Sequence, residues 1–435
     1  MTASTPGQPP DAGQARSLLR GLRCDDCGRE VPTDQPQTLC PHCEGLLEFH
    51  YDLGGDARAT VLRAAGTRRG LWRWSPLLPV DPSTAPVTLG EGDSPLLEMP
   101  ALGASLGVPG LRVKNDAMMP TGSFKDRGFA VAVTAARAQG MRDGFTYSSG
   151  NAGASFAAYA ARAGLRATVF VEAAANETKV AAISLLGARV YRLHYDSSDE
   201  IFAALQSMAR RGAHSFVNFI NPVRHEAMKT YAYEICEELG WEVPDVMVHP
   251  VGTGGGLWGA WKGFLELREL GLIDRVPRMI GVQPAVCAPL VEAFDNGRAG
   301  AVRSGDANAT IAQSIAGDSL IQGGRRLLRA IRDSGGAAVA VSEDEIAEAV
   351  RALGRHAVAA EPSAAASLAG VAAARRSGVI GPHDHVVAVV TGSALKQPAA
   401  MQRLAPAPLG DVRADADDWA GLLAQPHQDA EWGDA

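Results

Sequence analysis

The chain has 435 residues, of which 46% are hydrophobic and 20% are charged, a composition typical of globular proteins with more than one core. A formal net charge of −7 provides no basic surface, so we expect neither nucleic acid nor a membrane as a partner. The apolar segments are too short for a signal peptide or a membrane span, which predicts a cytoplasmic protein.

Both ends of the chain have compositions that predict disorder. Residues 1–20 are rich in Pro, Gly and polar side chains, and residues 406–435 carry several acidic side chains among Ala and Gly. Such segments have too little apolar surface to form a core. We therefore expect a disordered head and an acidic tail, neither of which carries the chemistry.

Four of the six cysteines lie near the N-terminus in two Cys-x-x-Cys pairs, CDDC and CPHC. Each pair can present two thiolates to one tetrahedral ion, so the spacing predicts a structural Zn²⁺ site in a zinc-ribbon-like module over residues 21–52. A redox pair and a fortuitous grouping of thiols are the alternative interpretations. The predicted ligands are Cys24, Cys27, Cys40 and Cys43. Cys236 and Cys287 stand alone in apolar sequence, where we expect buried, inert thiols.

The segment PTGSFKDRG, residues 120–128, places Lys125 directly after a Thr-Gly-Ser turn. Taken alone, it would be interpreted as a surface lysine at a helix start, paired with Asp126.

Most of the remaining chain alternates short β-branched segments with Ala-rich segments of helical period, as in ATVFVEA followed by ETKVAAISLLG. This succession predicts an α/β fold with parallel sheets and helices on both faces. Folds of this kind bind ligands at the carboxyl ends of their strands.

Three predicted strands end in glycines and small polar residues, in TYSSGNAGAS, HPVGTGGGLWG and VVTGSALKQP. The middle segment has four glycines in the five positions 252–256 and precedes a helix, so its backbone N–H groups can surround a phosphate. It lacks the ending of an NTPase P-loop and the spacing of a dinucleotide fingerprint, which disfavours a nucleotide. A tight strand-to-helix turn is the alternative. A lysine after a turn and a phosphate cup together are what an enzyme needs to hold pyridoxal phosphate as a Schiff base, with Lys125 as the amine.

From about residue 87 to residue 400 the chain resembles the fold-type II pyridoxal-phosphate enzymes, and among them the threonine synthase family. The segments that carry the resemblance are GEGDSPLL, PTGSFKDRG, SSGNAG, INPVRHEAMKT, GTGGG, EPSAAAS and VVTGSALKQP. The resemblance implies that each chain has two parallel-sheet α/β domains, as in the tryptophan synthase β chain. It also implies that two such chains form a homodimer. The larger, cofactor-binding domain would comprise residues 53–130 and 231–405, and the smaller one residues 131–230.

The resemblance also implies roles for individual residues around the cofactor. Lys125 matches the Schiff-base lysine, which shuttles protons among the substrate carbons. Asn151 matches the asparagine that binds the ring oxygen, and Thr391 matches the hydroxyl near the ring nitrogen, with Ser393 as a competitor. The cofactor phosphate would be held by Gly252, Thr253, Gly254, Gly255 and Gly256.

For the substrate, the resemblance implies conversion of O-phosphohomoserine and water to threonine and phosphate, by γ-elimination and addition of water at the β carbon. Arg224 would hold the substrate phosphate because its planar fork suits that anion, and Lys229 of the same segment would contribute. Hydroxyl and backbone donors to the substrate would come from Ser123, Ser148 and Ser149.

Some positions depart from the family pattern, with Ala227 and Met228 in place of Gly and Gln, and Ala152 in place of a hydroxyl residue. These changes leave other functions open. One is a pyridoxal-phosphate ammonia-lyase, dehydratase or β-replacement enzyme acting on serine, threonine, diaminopropionate or O-phosphoserine. Another is a non-catalytic binding protein. Arg224 discriminates against the ammonia-lyase, because that enzyme has no substrate phosphate to hold.

Overall fold

The computed structural model describes residues 16–33, 37–195, 198–211, 213–217, 221–408 and 411. Most of the predicted disordered head and nearly all of the predicted acidic tail lie outside these residues. Within the described part of the chain, no helix has the length and apolar character needed to cross a bilayer.

Twelve strands are present in the described ranges. They are β1 (Leu19–Cys24), β2 (Glu30–Val31), β3 (Leu47–Tyr51), β4 (Leu96–Glu98), β5 (Gly110–Asn115), β6 (Asp143–Tyr147), β7 (Arg166–Glu172), β8 (Arg189–Leu193), β9 (Val246–Pro250), β10 (Arg278–Pro284), β11 (Ala337–Val341) and β12 (His385–Val390).

The α-helices of the same ranges alternate with these strands over most of the chain. They are α1 (Ala57–Ala65), α2 (Pro100–Ser105), α3 (Lys125–Ala138), α4 (Asn151–Ala163), α5 (Glu177–Leu185), α6 (Ser198–Arg210), α7 (Pro222–Glu226), α8 (Thr230–Glu238), α9 (Gly255–Glu269), α10 (Pro289–Asp295), α11 (Arg325–Asp333), α12 (Glu343–Arg355), α13 (Pro362–Arg376) and α14 (Pro398–Leu404).

The largest sheet has six strands in the order β11-β10-β9-β12-β5-β4. All neighbours in it are parallel except β4, which pairs antiparallel with β5 at one edge. β9 is buried throughout and β12 is buried after its first residue, as expected for strands covered by helices on both faces, and this explains why β9 is apolar apart from His249 and β12 is apolar after His385. The predicted α/β fold is confirmed, with one antiparallel edge strand that the sequence pattern did not indicate.

A second, three-stranded parallel sheet has the order β6-β7-β8. Its strands fall within residues 131–230, and those of the six-stranded sheet fall within residues 53–130 and 231–405. The sheets are therefore compatible with the domain boundaries stated above, which stay a prediction.

The N-terminal segment forms a small antiparallel sheet in the order β2-β1-β3. Phe49 and Tyr51 of β3 belong to the same apolar core as Trp74 and as Tyr231 and Phe264 of helices α8 and α9. The segment also contacts α11, since Asp25 pairs with Arg326 (2.7 Å) and Arg329 (3.1 Å). The cysteine segment therefore packs against helices that accompany the six-stranded sheet, namely α8, α9 and α11.

Candidate active site

A cavity of about 970 Å³ lies at the carboxyl ends of β9, β12 and β6. Most of the predicted site residues line it. They are Lys125, Ser148, Ser149, Asn151, Arg224, Gly252, Thr253, Gly254, Gly255, Gly256 and Thr391. Ser123 and Lys229 do not line this cavity.

The glycine segment 252–256 connects β9 to α9 and forms one wall of the cavity. Gly254 is the N-cap of the helix and has a φ of 80°, a left-handed conformation that favours glycine. A Cβ atom at Gly254 would overlap the side chain of Leu327, and one at Gly256 would overlap the ring of His249. The unpaired N–H groups and the dipole at the start of a 15-residue helix make this wall suited to an anion.

Lys125 is the first residue of α3, and its Nζ lies 4.3 Å from the centroid of the Phe124 ring. Burial lowers the pKa of Lys125 to about 7, with a further lowering by the charge of Arg224 and an opposing effect of Glu361. At neutral pH a large fraction of this amine is therefore uncharged and nucleophilic. Its neighbour Asp126 accepts hydrogen bonds from Thr121 and Ser155 instead of pairing with it.

Asn151 begins α4 directly after the loop of Ser148 and Ser149. Its Nδ2 donates a hydrogen bond to Oε1 of Glu361 at 2.8 Å, and Glu361 is only 2% exposed. Burial raises the pKa of Glu361, and the hydrogen bond from Asn151 opposes that rise. Glu361 lines the cavity and was not among the predicted site residues, although it is the first residue of the EPSAAAS segment.

Residues 305–318 supply much of another wall of the cavity and were also missed by the sequence analysis. The backbone N–H of Ser314 donates to Oγ of Ser363 at 2.9 Å, next to Glu361. Gln313 accepts a hydrogen bond from Lys179 of α5 at 3.2 Å. This loop therefore connects the helix that carries Glu361 with the three-stranded sheet and its helices.

Arg224 lies on α7 and is 4% exposed. One terminal nitrogen donates to the carbonyl of Phe216 at 2.8 Å, and the guanidinium lies 4.0 Å from the Phe129 ring centroid. Its Nε has no hydrogen-bond partner among the described residues, and no carboxylate of those residues pairs with it. Burial lowers the pKa of Arg224 to about 9. A buried cation without an anion, on the wall of a cavity, is suited to an anionic ligand.

Lys229, five residues further along, has a different environment. It is fully buried, its Nζ lies 2.7 Å from Glu226 and 2.9 Å from Glu266, and it is 3.7 Å from the Tyr51 ring centroid. Its charge therefore neutralises buried carboxylates. Its position does not support the predicted contact with substrate, and the same holds for the buried Ser123, which lies outside the cavity wall.

Thr391 follows β12 and lines the cavity, and its carbonyl accepts a hydrogen bond from the N–H of Phe124 at 2.9 Å. Ser393, its predicted competitor, does not line the cavity, and its Oγ accepts a hydrogen bond from the N–H of Leu395 at 3.3 Å. The geometry therefore favours Thr391 as the hydroxyl that faces a ligand.

The four N-terminal cysteines form a cluster in which all sulfur atoms lie within 4.8 Å of one another. Cys24 and Cys43 are 3.5 Å apart at Sγ, and Cys27 and Cys40 are 3.7 Å apart. Four thiolates at about 2.3 Å from a tetrahedral ion would have edges of about 3.8 Å, close to these separations. The cluster therefore has the dimensions of a structural zinc site.

Residues 87–392 match the family described as pyridoxal-phosphate dependent enzymes. The threonine synthase of Methanocaldococcus jannaschii is 37% identical over 391 residues, which cover 89% of this chain and 95% of that protein. The threonine synthase of Methanosarcina acetivorans is 36% identical over 379 residues, with 87% and 92% coverage. The chain belongs to the threonine synthase family of pyridoxal-phosphate dependent enzymes.

Two solved structures have the same fold as this member of the threonine synthase family. Threonine deaminase isoform 2 from Solanum lycopersicum superposes with a TM-score of 0.62 at 21% identity, over 86% of this chain and 98% of that one. Maize serine racemase gives a TM-score of 0.60 at 19% identity, over 72% and 91%. At these identities the likeness concerns the fold alone.

The residues of the cavity fit the cofactor after which the family is named. The glycine wall lines the cavity and leads into the 15-residue helix α9, whose first N–H groups suit a phosphate. Lys125 supplies an amine whose pKa is about 7, and Asn151 and Thr391 supply polar groups on the same cavity. The family assignment and this donor set agree.

Replacing Gly254 by alanine is expected to weaken pyridoxal phosphate binding by about tenfold or more, because a Cβ costs roughly 1–2 kcal/mol in a left-handed conformation and here also meets Leu327. Titration of the apoprotein with the cofactor, followed by absorbance, measures the loss. Gly335→Ala is the matched control, since Gly335 also has a positive φ of 66° but lies outside the cavity wall, and an alanine methyl there would have no atom within 4 Å. Equal affinities of Gly254→Ala and wild type for pyridoxal phosphate would contradict a role for this glycine in the glycine wall.

Proposed function

We propose that the enzyme converts O-phosphohomoserine and water to threonine and phosphate, as the threonine synthase family implies. The observation that carries the proposal is Arg224, a buried cation on the cavity wall with no carboxylate partner among the described residues. The glycine wall accounts for the phosphate of the cofactor, so Arg224 is a second anion site. A substrate with its own phosphate requires such a site, whereas dehydration of serine or threonine does not.

Bound pyridoxal phosphate supplies an electron sink for negative charge that develops on the substrate carbons. Around it, the glycine wall and the N-terminus of α9 hold the phosphate group. Asn151 is oriented by Glu361 through one N–H of Nδ2, and the second N–H is available to the ring oxygen. Thr391, which lines the same cavity, would offer its hydroxyl to the ring nitrogen.

Lys125 moves the protons of the reaction at its Nζ. A group with a pKa of about 7 accepts and releases protons with comparable ease at neutral pH, which suits an amine that takes a proton from one carbon and gives it to another. The half-buried Phe124 ring beside Nζ limits water around this amine. Lys125 can therefore serve the successive proton transfers of the elimination and of the addition of water.

The loop of Ser148 and Ser149 precedes the 13-residue helix α4, whose N-terminus lies on the cavity wall. Its hydroxyl and N–H groups would bind the carboxylate of the amino-acid substrate. Arg224 then holds the phosphate of the substrate until it leaves. Together, these groups orient the substrate by both of its ends.

Turnover on a panel of amino acids tests the proposed function. Threonine and inorganic phosphate are measured with O-phosphohomoserine, and keto acid or replacement products are measured with serine, threonine, diaminopropionate and O-phosphoserine. The proposal is supported if O-phosphohomoserine gives threonine and phosphate and none of the other amino acids is converted. Turnover of serine or threonine without activity on a phosphorylated substrate would establish the ammonia-lyase alternative.

We also propose that the four N-terminal cysteines bind one structural Zn²⁺. The sulfur separations support this, as do the left-handed residues Gly28 (φ 72°) and Glu44 (φ 58°), which turn the chain after each Cys-x-x-Cys pair. The homodimer and the cytoplasmic location stay predictions.

Cys24→Ser is expected to lower the zinc content and the thermal stability while the folded protein keeps its cofactor absorbance, because structural zinc contributes folding free energy and lies outside the cavity wall. Metal analysis and thermal unfolding measure the two effects. Cys287→Ser changes a buried thiol outside the cluster and should retain zinc. Wild-type protein purified anaerobically without zinc would contradict this proposal.

A further inference from the structure

His249 is a buried polar residue of the central strand β9 to which neither the family resemblance nor the sequence pattern assigned a role. It is 1% exposed, its ring makes edge contacts with Phe124 (centroids 6.0 Å apart) and Tyr231 (5.8 Å), and it lines the active-site cavity. A buried imidazole on the cavity wall of an enzyme is a candidate for contact with the ligand.

The two ring nitrogens of His249 have different environments. Nδ1 lies 2.9 Å from the carbonyl oxygen of Pro250, and because a carbonyl only accepts hydrogen bonds, Nδ1 carries the proton. In the neutral ring, Nε2 then has a free lone pair. Nε2 is buried and has no hydrogen-bond partner among the described residues.

Nε2 lies beside Gly256, in the first turn of α9 and at the end of the glycine wall. A Cβ atom at Gly256 would overlap Nε2 and Cε1 of His249. Gly256 is the second residue of α9, and Cα–Cβ bonds in a helix tilt toward its N-terminus. The imidazole therefore occupies the space of the missing side chain at position 256, over the N-terminus of α9.

We propose that His249 binds the phosphate group of the cofactor through Nε2 and takes up one proton from solvent when that phosphate binds. This inference rests on the proposed function only in requiring pyridoxal phosphate in the cavity. A bare Nε2 lone pair would repel a phosphate oxygen, whereas a proton between them makes a charge-assisted hydrogen bond. The lone pair of Nε2 forms an N–H bond with the proton from solvent, and no other covalent bond changes in this step.

The charges around His249 determine the pH at which this proton is bound. Burial lowers the pKa of His249 to about 4 in the absence of a ligand, Asp116 after β5 opposes this, and Lys125 of α3 adds to it. Tyr231 of α8 is a neutral phenol, because burial raises its pKa well above the usual value. A phosphate at contact distance raises the pKa of a histidine by about 1–3 units. The proton is therefore bound at a higher pH in the complex than in the protein without phosphate, and it is lost as the pH rises further.

Calorimetric titration of the apoprotein with pyridoxal phosphate at pH 6.0, in two buffers of different ionisation enthalpy, counts the protons taken up. Wild type is expected to take up roughly 0.1 to 0.9 proton more per chain than His249→Gln, because the amide occupies the position of Nε2 without titrating. His214→Gln is the matched control. His214 is also buried, and burial lowers its pKa to about 4, but it lies outside the cavity wall.

The affinity for pyridoxal phosphate should also depend on His249, and more strongly at low pH than at high pH. His249→Leu, which removes both hydrogen bonding and charge, is expected to weaken binding by about tenfold at pH 6.0 and by less at pH 8.0. Pyridoxal, which lacks the phosphate, should bind wild type and both His249 variants with equal proton uptake.

Equal proton uptake by wild type, His249→Gln and His214→Gln during pyridoxal phosphate binding would overturn this inference and leave the proposed function standing. The inference also fails if pyridoxal shows the difference between wild type and variant, since the phosphate would then not be the group that His249 contacts. A wild-type protein that binds no pyridoxal phosphate would instead refute the proposed function itself. Circular dichroism of each variant establishes that it is folded.

Discussion

Lys125→Ala is expected to lower kcat with O-phosphohomoserine by about a thousandfold or more and to remove the absorbance of covalently bound cofactor. The variant loses Nζ, which both holds the cofactor and moves the protons of the reaction. The glycine wall is untouched, so the variant should still bind pyridoxal phosphate, but reversibly. Steady-state kinetics and absorbance spectra after gel filtration measure the two effects.

The attachment site can be identified independently of activity. Borohydride reduction of the holoenzyme, followed by peptide mass spectrometry, should place the pyridoxyl group on Lys125. Lys179 also lines the cavity and provides an internal comparison. Because the pKa of Lys125 is about 7, the rate of cofactor capture by apoprotein should rise as the pH increases through 7. A label on Lys179 would show that the amine has been assigned to the wrong residue.

Arg224→Ala is expected to lower kcat/KM for O-phosphohomoserine by about a hundredfold, which corresponds to about 2.7 kcal/mol. A phosphate dianion held in a buried cavity loses its charge-assisted partner when the guanidinium is removed. The absorbance of bound cofactor should not change, because the glycine wall is a separate part of the cavity. Kinetics with the phosphorylated substrate and a cofactor titration measure the two effects.

Two comparisons separate binding of substrate phosphate from a structural role of Arg224. Its guanidinium also donates to the Phe216 carbonyl and lies over Phe129, so the alanine variant should lose some stability as well. Arg224→Lys keeps a positive charge without the planar fork and should recover only part of the activity. If Arg224→Ala retains wild-type kcat/KM, the second anion site is elsewhere and the threonine synthase reaction loses its main structural support.

Local sequence patterns were sufficient for those parts of the site that lie next to one strand end. The glycine wall, Asn151 and Thr391 each follow a parallel strand directly, and parallel strands align their carboxyl ends. Arg224 and Lys229 show where such reasoning ends. They are five residues apart, yet one lies on the cavity wall and the other among buried carboxylates, and this depends on the contacts of Glu266 and Tyr51 with Lys229.

Glu361 and residues 305–318 could not be assigned by pattern because their roles depend on distant partners. The carboxylate of Glu361 is identified as part of the site by its hydrogen bond to Asn151, 210 residues earlier in the chain. Residues 305–318 contain only short 3₁₀ turns and therefore show neither helical nor strand periodicity. His249 was inconspicuous for another reason, since it lies in an otherwise apolar buried strand.

The position of β12 has a consequence for how the protein is made. This strand is the last of the described strands, yet it lies between β9 and β5 and provides the hydrogen bonds that join them. The ribosome adds residues 385–390 after all the other strands of this sheet, so until then β11-β10-β9 and β5-β4 are separate fragments of sheet. Parallel sheets closed by such distant segments form slowly. Cofactor absorbance should therefore develop only after β12 has been synthesised, as a late marker of a finished fold.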